Sequence, residues 1–180
     1  PASHAHPEAL QRPDVLYSLT PSLLVILVVN RPTGAVCDPA LPAALAKRYP
    51  RSEQRDKLSW HPCGNAGALL VVDRYRDDRT IPVRQGVGLA RKIGCDIACR
   101  LIDRGQLSGQ WIFCSDADTL WPADYFAATE HASPTHSALS FRFAHRAETG
   151  LPPLPTQLYE FSLHYDVLGL RHAASPYAHH

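Results

Sequence analysis

The sequence predicts an α/β fold with a doubly wound, mostly parallel sheet and helices on both faces. Two apolar runs rich in β-branched residues, at 22–29 and 68–73, end in polar side chains, a pattern typical of strands buried on both faces. A third, shorter apolar run at 111–114 leads into two aspartates. Segments with helical spacing separate the three runs, and strands that alternate with helices indicate βαβ units around a parallel sheet.

Length, charge and cysteine content exclude several kinds of protein. A chain of 180 residues is long enough for one domain with its own core, so it needs no disulfides. The five cysteines form no C-x-x-C pair, which argues against a zinc site or a secreted disulfide framework and favours the cytoplasm. A net charge of +1 argues against nucleic acid as a partner. The apolar run at 23–29 is too short to cross a bilayer, although peripheral attachment to the inner face of a membrane stays open.

The first half of the chain divides into a lead-in and two strands. Residues 1–20, with four prolines or histidines in the first seven positions, predict a loosely ordered lead-in with one helical turn, before a single domain at 21–180. The run at 22–29 predicts a strand that ends at Asn30. Alanines, leucines and a basic last turn predict a crossover helix at 40–49. The polar stretch at 50–66 is typical of a loop, and the apolar run that ends at Asp73 predicts the next strand.

The segment Gly86–Arg104 is the strongest predicted helix. Its apolar residues recur every three or four positions, and Gly105 follows its end. Arg91 and Lys92 lie in the first two turns, where the amino end of a helix favours anions, so a cation there can help to hold a phosphate. The alternative is that both are ordinary surface side chains.

Two carboxylates one residue apart, Asp116 and Asp118, lie in the middle of the segment Trp111–Trp121. At the end of a buried strand two such carboxylates repel each other unless a cation or a hydrogen-bond donor lies between them. Oxygen ligands suit Mg²⁺ or Mn²⁺, so the pair predicts a divalent metal site. The alternative is a helix N-cap at Ser115 or Asp118, with Pro122 in the first turn.

The last part of the chain carries weaker patterns. Residues 122–130 suit a short helix, residues 138–143 alternate as a strand does, and residues 157–172 return to helical spacing.

Four segments in this order resemble the nucleotide-sugar-dependent glycosyltransferases with the GT-A fold, in particular the inverting family 2 group. They are LLVILVVNRP as the first strand and nucleotide loop, LLVVDRYRDD as the second strand, GVGLARKIGCDIA as the helix, and WIFCSDADT as the D-x-D strand. The resemblance covers roughly residues 22–145. It implies the GT-A fold, whose nucleotide-binding half is Rossmann-like.

The resemblance also implies which residues form the site. The nucleotide-binding residues would be Val29, Asn30, Asp73, Arg91 and Asp116. Asp116 and Asp118 would hold Mg²⁺ or Mn²⁺ against the diphosphate, because a cation stabilises the negative charge that develops on the leaving group.

The implied activity is inverting transfer of a hexosyl group from a nucleoside-diphosphate sugar to a sugar, lipid or small-molecule acceptor. Such an enzyme needs a carboxylate base, and Glu148, Glu160 and Asp166 do not form the acidic pair typical of the family. The catalytic residue is therefore unassigned. Because the chain also lacks methionine and ends abruptly, we expect the acceptor half to be incomplete. The sequence Asp-Arg-Tyr-Arg at the end of the second strand departs from the family pattern and leaves the identity of the nucleobase open.

Two other functions remain open. The haloacid-dehalogenase-like phosphatases also place a D-x-D after a strand, but their motif requires threonine or valine two positions after the second aspartate, and Leu120 stands there. A non-catalytic module that binds nucleotides is the third hypothesis.

Overall fold

The computed structural model describes residues 12–20, 22–63, 66–133, 135–141, 144 and 154–172. The chain forms two compact units that divide between His131 and Ala132. Every strand described belongs to the first unit.

A mixed four-stranded sheet is the centre of the first unit. Its strands are β1 (Leu24–Asn30), β2 (Glu53–Arg55), β3 (Leu58–Cys63) and β4 (Gly67–Arg74), in the spatial order β1-β4-β3-β2. β1 and β4 are parallel and pair along their whole length. β3 is antiparallel to both β4 and β2. Both apolar runs predicted as strands are therefore strands, and they are parallel neighbours.

The predicted doubly wound, mostly parallel sheet is only partly confirmed. The fold is α/β, but half of the sheet is an antiparallel hairpin. The predicted strand at 111–114 is absent, since this segment has no strand assignment. The side chains of Ile112 and Cys114 are exposed while Trp111 and Phe113 are half-buried. A segment with one face open to solvent lacks the cover that a central parallel strand requires.

The β2–β3 hairpin occupies the segment that we expected to be a loop. Arg55 pairs with Leu58 across a two-residue turn, and Asp56 in that turn has a φ of 45°. Aspartate tolerates the left-handed region better than most residues. The hairpin is not evident from the sequence because the turn has no glycine and the strand at 53–55 is fully exposed and polar.

In the described part of the first unit, three α-helices accompany the sheet: α1 (Arg12–Leu19), α2 (Ala40–Arg48) and α3 (Gly86–Asp103). The predictions for α2 and α3 are confirmed to within one residue at each end. α1 lies in the segment that we expected to be a loosely ordered lead-in with one helical turn, and its 8 residues make a longer helix. Residues 122–130, expected to be helical, form turns and a short 3-10 helix at Ala127–Thr129.

The helices lie on both faces of the sheet. Leu45 of α2 packs in one core cluster with Val29 and Val71, which project from the same face. The opposite face meets α3, where a Cβ at Gly94 would be 3.6 Å from Val28 Cγ2. Because side chains alternate along a strand, odd-numbered residues of β1 and β4 face α2 and even-numbered residues face α3.

The second unit contains α4 (Leu154–His172), which matches the predicted last helix apart from an earlier start. The predicted strand at 138–143 is not formed over 138–141, and residues 142–143 lie outside the described part. Within the described residues, no helix has the length and apolar character needed to cross a membrane.

The close approach of Gly67 to α1 provides a test of the packing on the α2 face. A Cβ at Gly67 would lie 2.7 Å from the ring of Tyr17 and 2.9 Å from the carbonyl oxygen of Cys63. We expect Gly67→Ala to lower the free energy of unfolding by about 1–3 kcal/mol in urea denaturation, as overpacking usually does. Gly88→Ala is the matched control, because open space surrounds this helical position. It should raise stability by about 0.5–1 kcal/mol, and an equal loss in both variants would contradict this packing.

Candidate functional site

The parallel pairing of β1 with β4 brings together the carboxyl ends of the two strands. Val29 lies opposite Asp73, and Asn30 lies opposite Arg74. The backbone hydrogen bonding of the sheet continues to the hairpin, since the backbone N–H of Asp73 donates to the carbonyl oxygen of Lys57 at 2.7 Å. Ligands in α/β sheets bind at this edge of the strands.

A pocket of about 400 Å³ opens at this edge, on the face of the sheet that carries α2. This volume lies within the range of small-molecule sites, roughly 300–1,000 Å³. The pocket is bounded by α2, the hairpin and the ends of β1 and β4. Its lining residues are Val29, Pro42, Leu45, Ala46, Arg51, Gln54, Lys57, Leu58, Ser59, His61, Val71, Asp73, Tyr75 and Arg76.

The lining of the pocket combines apolar side chains with cations. The apolar part comes from the strands, α2 and the hairpin and includes Val29, Leu45 and Val71. Arg51, Lys57 and Arg76 contribute three cationic side chains, and Asp73 is the one carboxylate in the described lining. The pocket thus suits a ligand with an apolar or planar part and an anionic group.

The carboxylate of Asp73 is occupied on both oxygens. Oδ1 accepts hydrogen bonds from the backbone N–H groups of Tyr75 at 3.1 Å and Arg76 at 3.3 Å. Oδ2 lies 2.9 Å from Arg76 Nε and 3.4 Å from Arg79 Nη1. A carboxylate offers about four acceptor positions, and these four contacts occupy them. The role of Asp73 in this structure is therefore to fix the loop after β4 and to anchor Arg76 at the pocket.

Arg31 is a buried cation that the sequence analysis did not single out. Its Nε donates to the carbonyl oxygen of Tyr75 at 2.8 Å, and its guanidinium lies 5.5 Å from the centre of the Tyr75 ring. It also bonds to Ala35 O and to the carboxylate of Asp77. These contacts join the loop after β1 to the loop after β4. The sequence signal was an arginine placed directly after a buried strand.

His61 is a second buried polar group that was not predicted as part of a site, and unlike Arg31 it lines the pocket. Its Nδ1 is 2.6 Å from the carbonyl oxygen of Tyr49 and its Nε2 is 2.9 Å from Ser59 Oγ. Since a carbonyl oxygen only accepts, Nδ1 carries the proton of that hydrogen bond. The hydroxyl of Tyr49 donates to Asp14 at 3.0 Å, and burial raises the pKa of Tyr49 to about 12. His61 therefore ties the hairpin to the end of α2.

The other predicted site residues lie away from this pocket lining. Arg91 Nη2 donates to Asp116 Oδ1 at 2.6 Å, and the two side chains are about half exposed. Asn30 also does not line the pocket and belongs to the face of the sheet that carries α3. Val29 and Asp73 are brought together in the pocket, whereas Arg91 and Asp116 are brought together at α3.

The D-x-D lies in a turn and not at the end of a strand. The backbone N–H of Thr119 donates to Asp116 O at 3.2 Å, and Asp118 is exposed within this turn. Ser115 Oγ accepts a hydrogen bond from the Trp121 indole at 3.0 Å. No α-helix begins at Pro122 in the described chain, so the N-cap alternative is also not observed.

The donor set of the D-x-D suits a divalent cation that is shared with a phosphate ligand. No group of three or more His, Cys, Asp or Glu side chains placed to hold a metal occurs among the described residues. Mg²⁺ in nucleotide sites commonly takes one or two carboxylates and completes its shell with water and phosphate oxygens. Asp116 and Asp118 fit that requirement if Arg91 releases Asp116.

Two thiols lie beside the Arg91–Asp116 ion pair. Cys95 Sγ of α3 is 3.3 Å from Cys114 Sγ, and Cys114 is exposed. Burial and the contact with Cys114 raise the pKa of Cys95 to about 11. The segment that carries Cys114 is held by aromatic contacts between ring centres, since Phe113 lies 4.9 Å from Phe126 edge-to-face and 5.3 Å from Tyr125 at a tilt.

Comparison of the chain with protein-family models, with curated proteins and with solved structures gives no match.

The raised pKa of Cys95 predicts that this thiol is alkylated slowly at neutral pH. Because the thiolate is the nucleophile, we expect iodoacetamide at pH 8 to alkylate Cys95 more slowly than the exposed Cys99. The rate at Cys95 should rise as the pH approaches about 11. Both cysteines lie on the tryptic peptide 93–100, so fragment mass spectrometry compares them within one peptide. Equal rates at pH 8 would contradict the burial of Cys95.

Proposed function

We propose that the protein is a nucleotide-sugar glycosyltransferase that binds its donor in the pocket between α2, the hairpin and the ends of β1 and β4. The observation that carries this proposal is the pocket itself, which lies at the carboxyl ends of two paired parallel strands and combines an apolar lining with three cations. The implied chemistry is inverting transfer of a hexosyl group to a sugar, lipid or small-molecule acceptor.

The chemistry of the lining supports a nucleoside diphosphate as the ligand. A planar base can lie on the apolar side chains Val29, Leu45 and Val71, which removes apolar surface from water. The diphosphate is a multiple anion, and Lys57 and Arg51 are the lining cations that no described ion pair engages. Charge-assisted hydrogen bonds to phosphate are stronger than neutral ones, so these two cations would supply much of the affinity.

Asp73 has a different role in this proposal from the one that the resemblance implies. Its two oxygens already accept four contacts, and Arg76 is the most exposed of the partners, with 59% of its side chain accessible. Rotation of Arg76 toward a phosphate would free one acceptor position on Asp73 for a ribose hydroxyl. Asp73 would thus bind the nucleoside only after Arg76 has moved.

A divalent metal, Mg²⁺ or Mn²⁺, would be held by Asp116 and Asp118. Neither carboxylate lines the pocket, so the metal would offset the negative charge of the leaving nucleoside diphosphate only if the diphosphate extended beyond the pocket lining. To free Asp116 for the metal, Arg91 would have to release its ion pair with this carboxylate. Exposed ion pairs contribute only about 0–1 kcal/mol, so this release would cost little.

A non-catalytic nucleotide-binding module is the second candidate, and one observation favours it. Asp116 is already neutralised by Arg91, and the described part of the chain has no cluster of three metal-binding side chains. A module would bind the nucleotide through the cationic pocket without metal and without turnover. The phosphatase hypothesis rests on the D-x-D following a strand, and that context is absent from the described structure.

The proposal predicts that nucleoside diphosphates raise the thermal stability of the protein. UDP, GDP and ADP are titrated with and without Mn²⁺ in a thermal-shift assay. At about one hundred times Kd, the best nucleotide should stabilise the fold by about 2.7 kcal/mol. For a chain of this size each kcal/mol corresponds to roughly 2–4 °C in Tm. Lys57→Ala should weaken binding about tenfold, because it removes a charged phosphate contact.

Arg55→Ala is the matched control for Lys57→Ala. Arg55 lies two residues away in the same hairpin, its side chain is 87% exposed, and it does not line the pocket. Asp118→Asn should remove only the Mn²⁺-dependent part of the shift. No shift with any nucleotide would overturn the proposal, and binding without turnover of any sugar donor would favour the module. Hydrolysis of p-nitrophenyl phosphate that is lost in Asp116→Asn would favour the phosphatase.

A further inference from the structure

We propose that Cys95 and Cys114 form a reversible disulfide in the presence of a disulfide oxidant such as oxidised glutathione. The cross-link joins α3 to the segment at 111–118. The proposal does not depend on nucleotide binding, since it follows from the position of two thiols whose sulfur atoms are 3.3 Å apart across a sequence separation of 19 residues.

A neighbouring ion pair helps to place the two thiols. Arg91 and Asp116 form an ion pair at 2.6 Å, next to the contact between Cys95 and Cys114. Four residues of helix advance about 6.0 Å, and two residues of extended chain advance about 6.6 Å. A nearly extended segment that runs antiparallel to α3 therefore satisfies both contacts together. The ion pair and the thiol contact are thus in register with each other.

The aromatic cluster limits the movement of Cys114. Phe113 packs against Tyr125 and Phe126, and Trp121 lies 6.4 Å from Tyr125 between ring centres. The residues before and after Cys114 are therefore tethered within the same unit. A disulfide has an S–S distance of about 2.0 Å, so the sulfur atoms need to approach by little more than about 1 Å.

The other cysteines are less suitable partners. Cys63 is buried, where its pKa is raised mainly by burial. Cys37 and Cys99 are exposed, and neither has a described contact with another sulfur atom. Cys99 lies one turn after Cys95 on the same helix, which makes it the natural competitor for Cys114. The geometry therefore selects Cys95 over Cys99.

The reaction is a two-step thiol–disulfide exchange. The exposed Cys114 releases its proton and its sulfur attacks one sulfur of oxidised glutathione, which forms a mixed disulfide and releases the first glutathione. Cys95 Sγ then attacks Cys114 Sγ, its proton is released, and the second glutathione leaves. Two electrons pass from the protein thiols to the glutathione disulfide. The two protons end on the two glutathione thiols that are released.

The test uses the full chain in glutathione buffers of increasing oxidised fraction, followed by digestion with trypsin without reduction. The expected product is peptide 93–100 linked to peptide 105–142, with the bond assigned to Cys95 by fragmentation. The number of free thiols per chain, measured by thiol titration, should fall from five to three and return to five with excess dithiothreitol. Cys99→Ser should keep the cross-link, whereas Cys95→Ser and Cys114→Ser should abolish it.

The same chain in urea is the control for the folded geometry. The entropic cost of closing a loop depends only weakly on its length. In the unfolded chain Cys95 and Cys99 should therefore compete about equally for Cys114. In the folded chain we expect a preference for Cys95 of at least about tenfold, because the thiols are already in contact. Equal partition in both conditions would overturn the proposal. A folded chain that carries only glutathione adducts, or only bonds between chains, would overturn it as well.

Discussion

The parallel pairing of β1 with β4 is the constraint on which the rest of the first unit depends. The pairing extends from Leu24 opposite Ala68 to Asn30 opposite Arg74, so both strands end at the same level. The loops that follow them must therefore leave the sheet side by side. A shift of one residue in this register would move either Val29 or Asp73 to the opposite face and separate the two side chains.

Buried side-chain bonds hold the two loops in place. Arg31 reaches from the first loop to Tyr75 and Asp77 in the second, and the hydroxyl of Tyr75 returns a hydrogen bond to Asp38 O at 2.8 Å. The loops also pair through their backbones, since Ile81 N–H donates to Arg31 O at 3.0 Å. Loops fixed in this way can present a binding site without a large loss of entropy on binding.

Much of this arrangement could be predicted from local sequence patterns. β1 and β4 are continuous apolar runs, and α3 has a clear helical period. The local sequence is therefore sufficient to predict each of these elements. The hairpin could not be predicted in the same way. Its outer strand is polar and exposed, and it is a strand because β3 pairs with it.

The error at 111–114 has the same origin, because pairing with a sheet is a non-local property. Phe113 in this segment packs on aromatic side chains further along the chain, Tyr125 and Phe126. The positions of Val29 and Asp73 on adjacent strand ends agree with the prediction, but the pocket cations Arg51 and Lys57 were not foreseen. They reach the pocket only because the hairpin folds back onto β4.

The central claim is that the pocket between α2, the hairpin and the strand ends binds a nucleoside diphosphate. The most direct measurement is a titration of the ¹⁵N-labelled protein with UDP, GDP and ADP, followed by two-dimensional amide spectra. We expect one nucleotide to shift the amide signals of Val29, Lys57 and Asp73 together. Saturable binding that leaves these three signals in place and moves others would contradict the account.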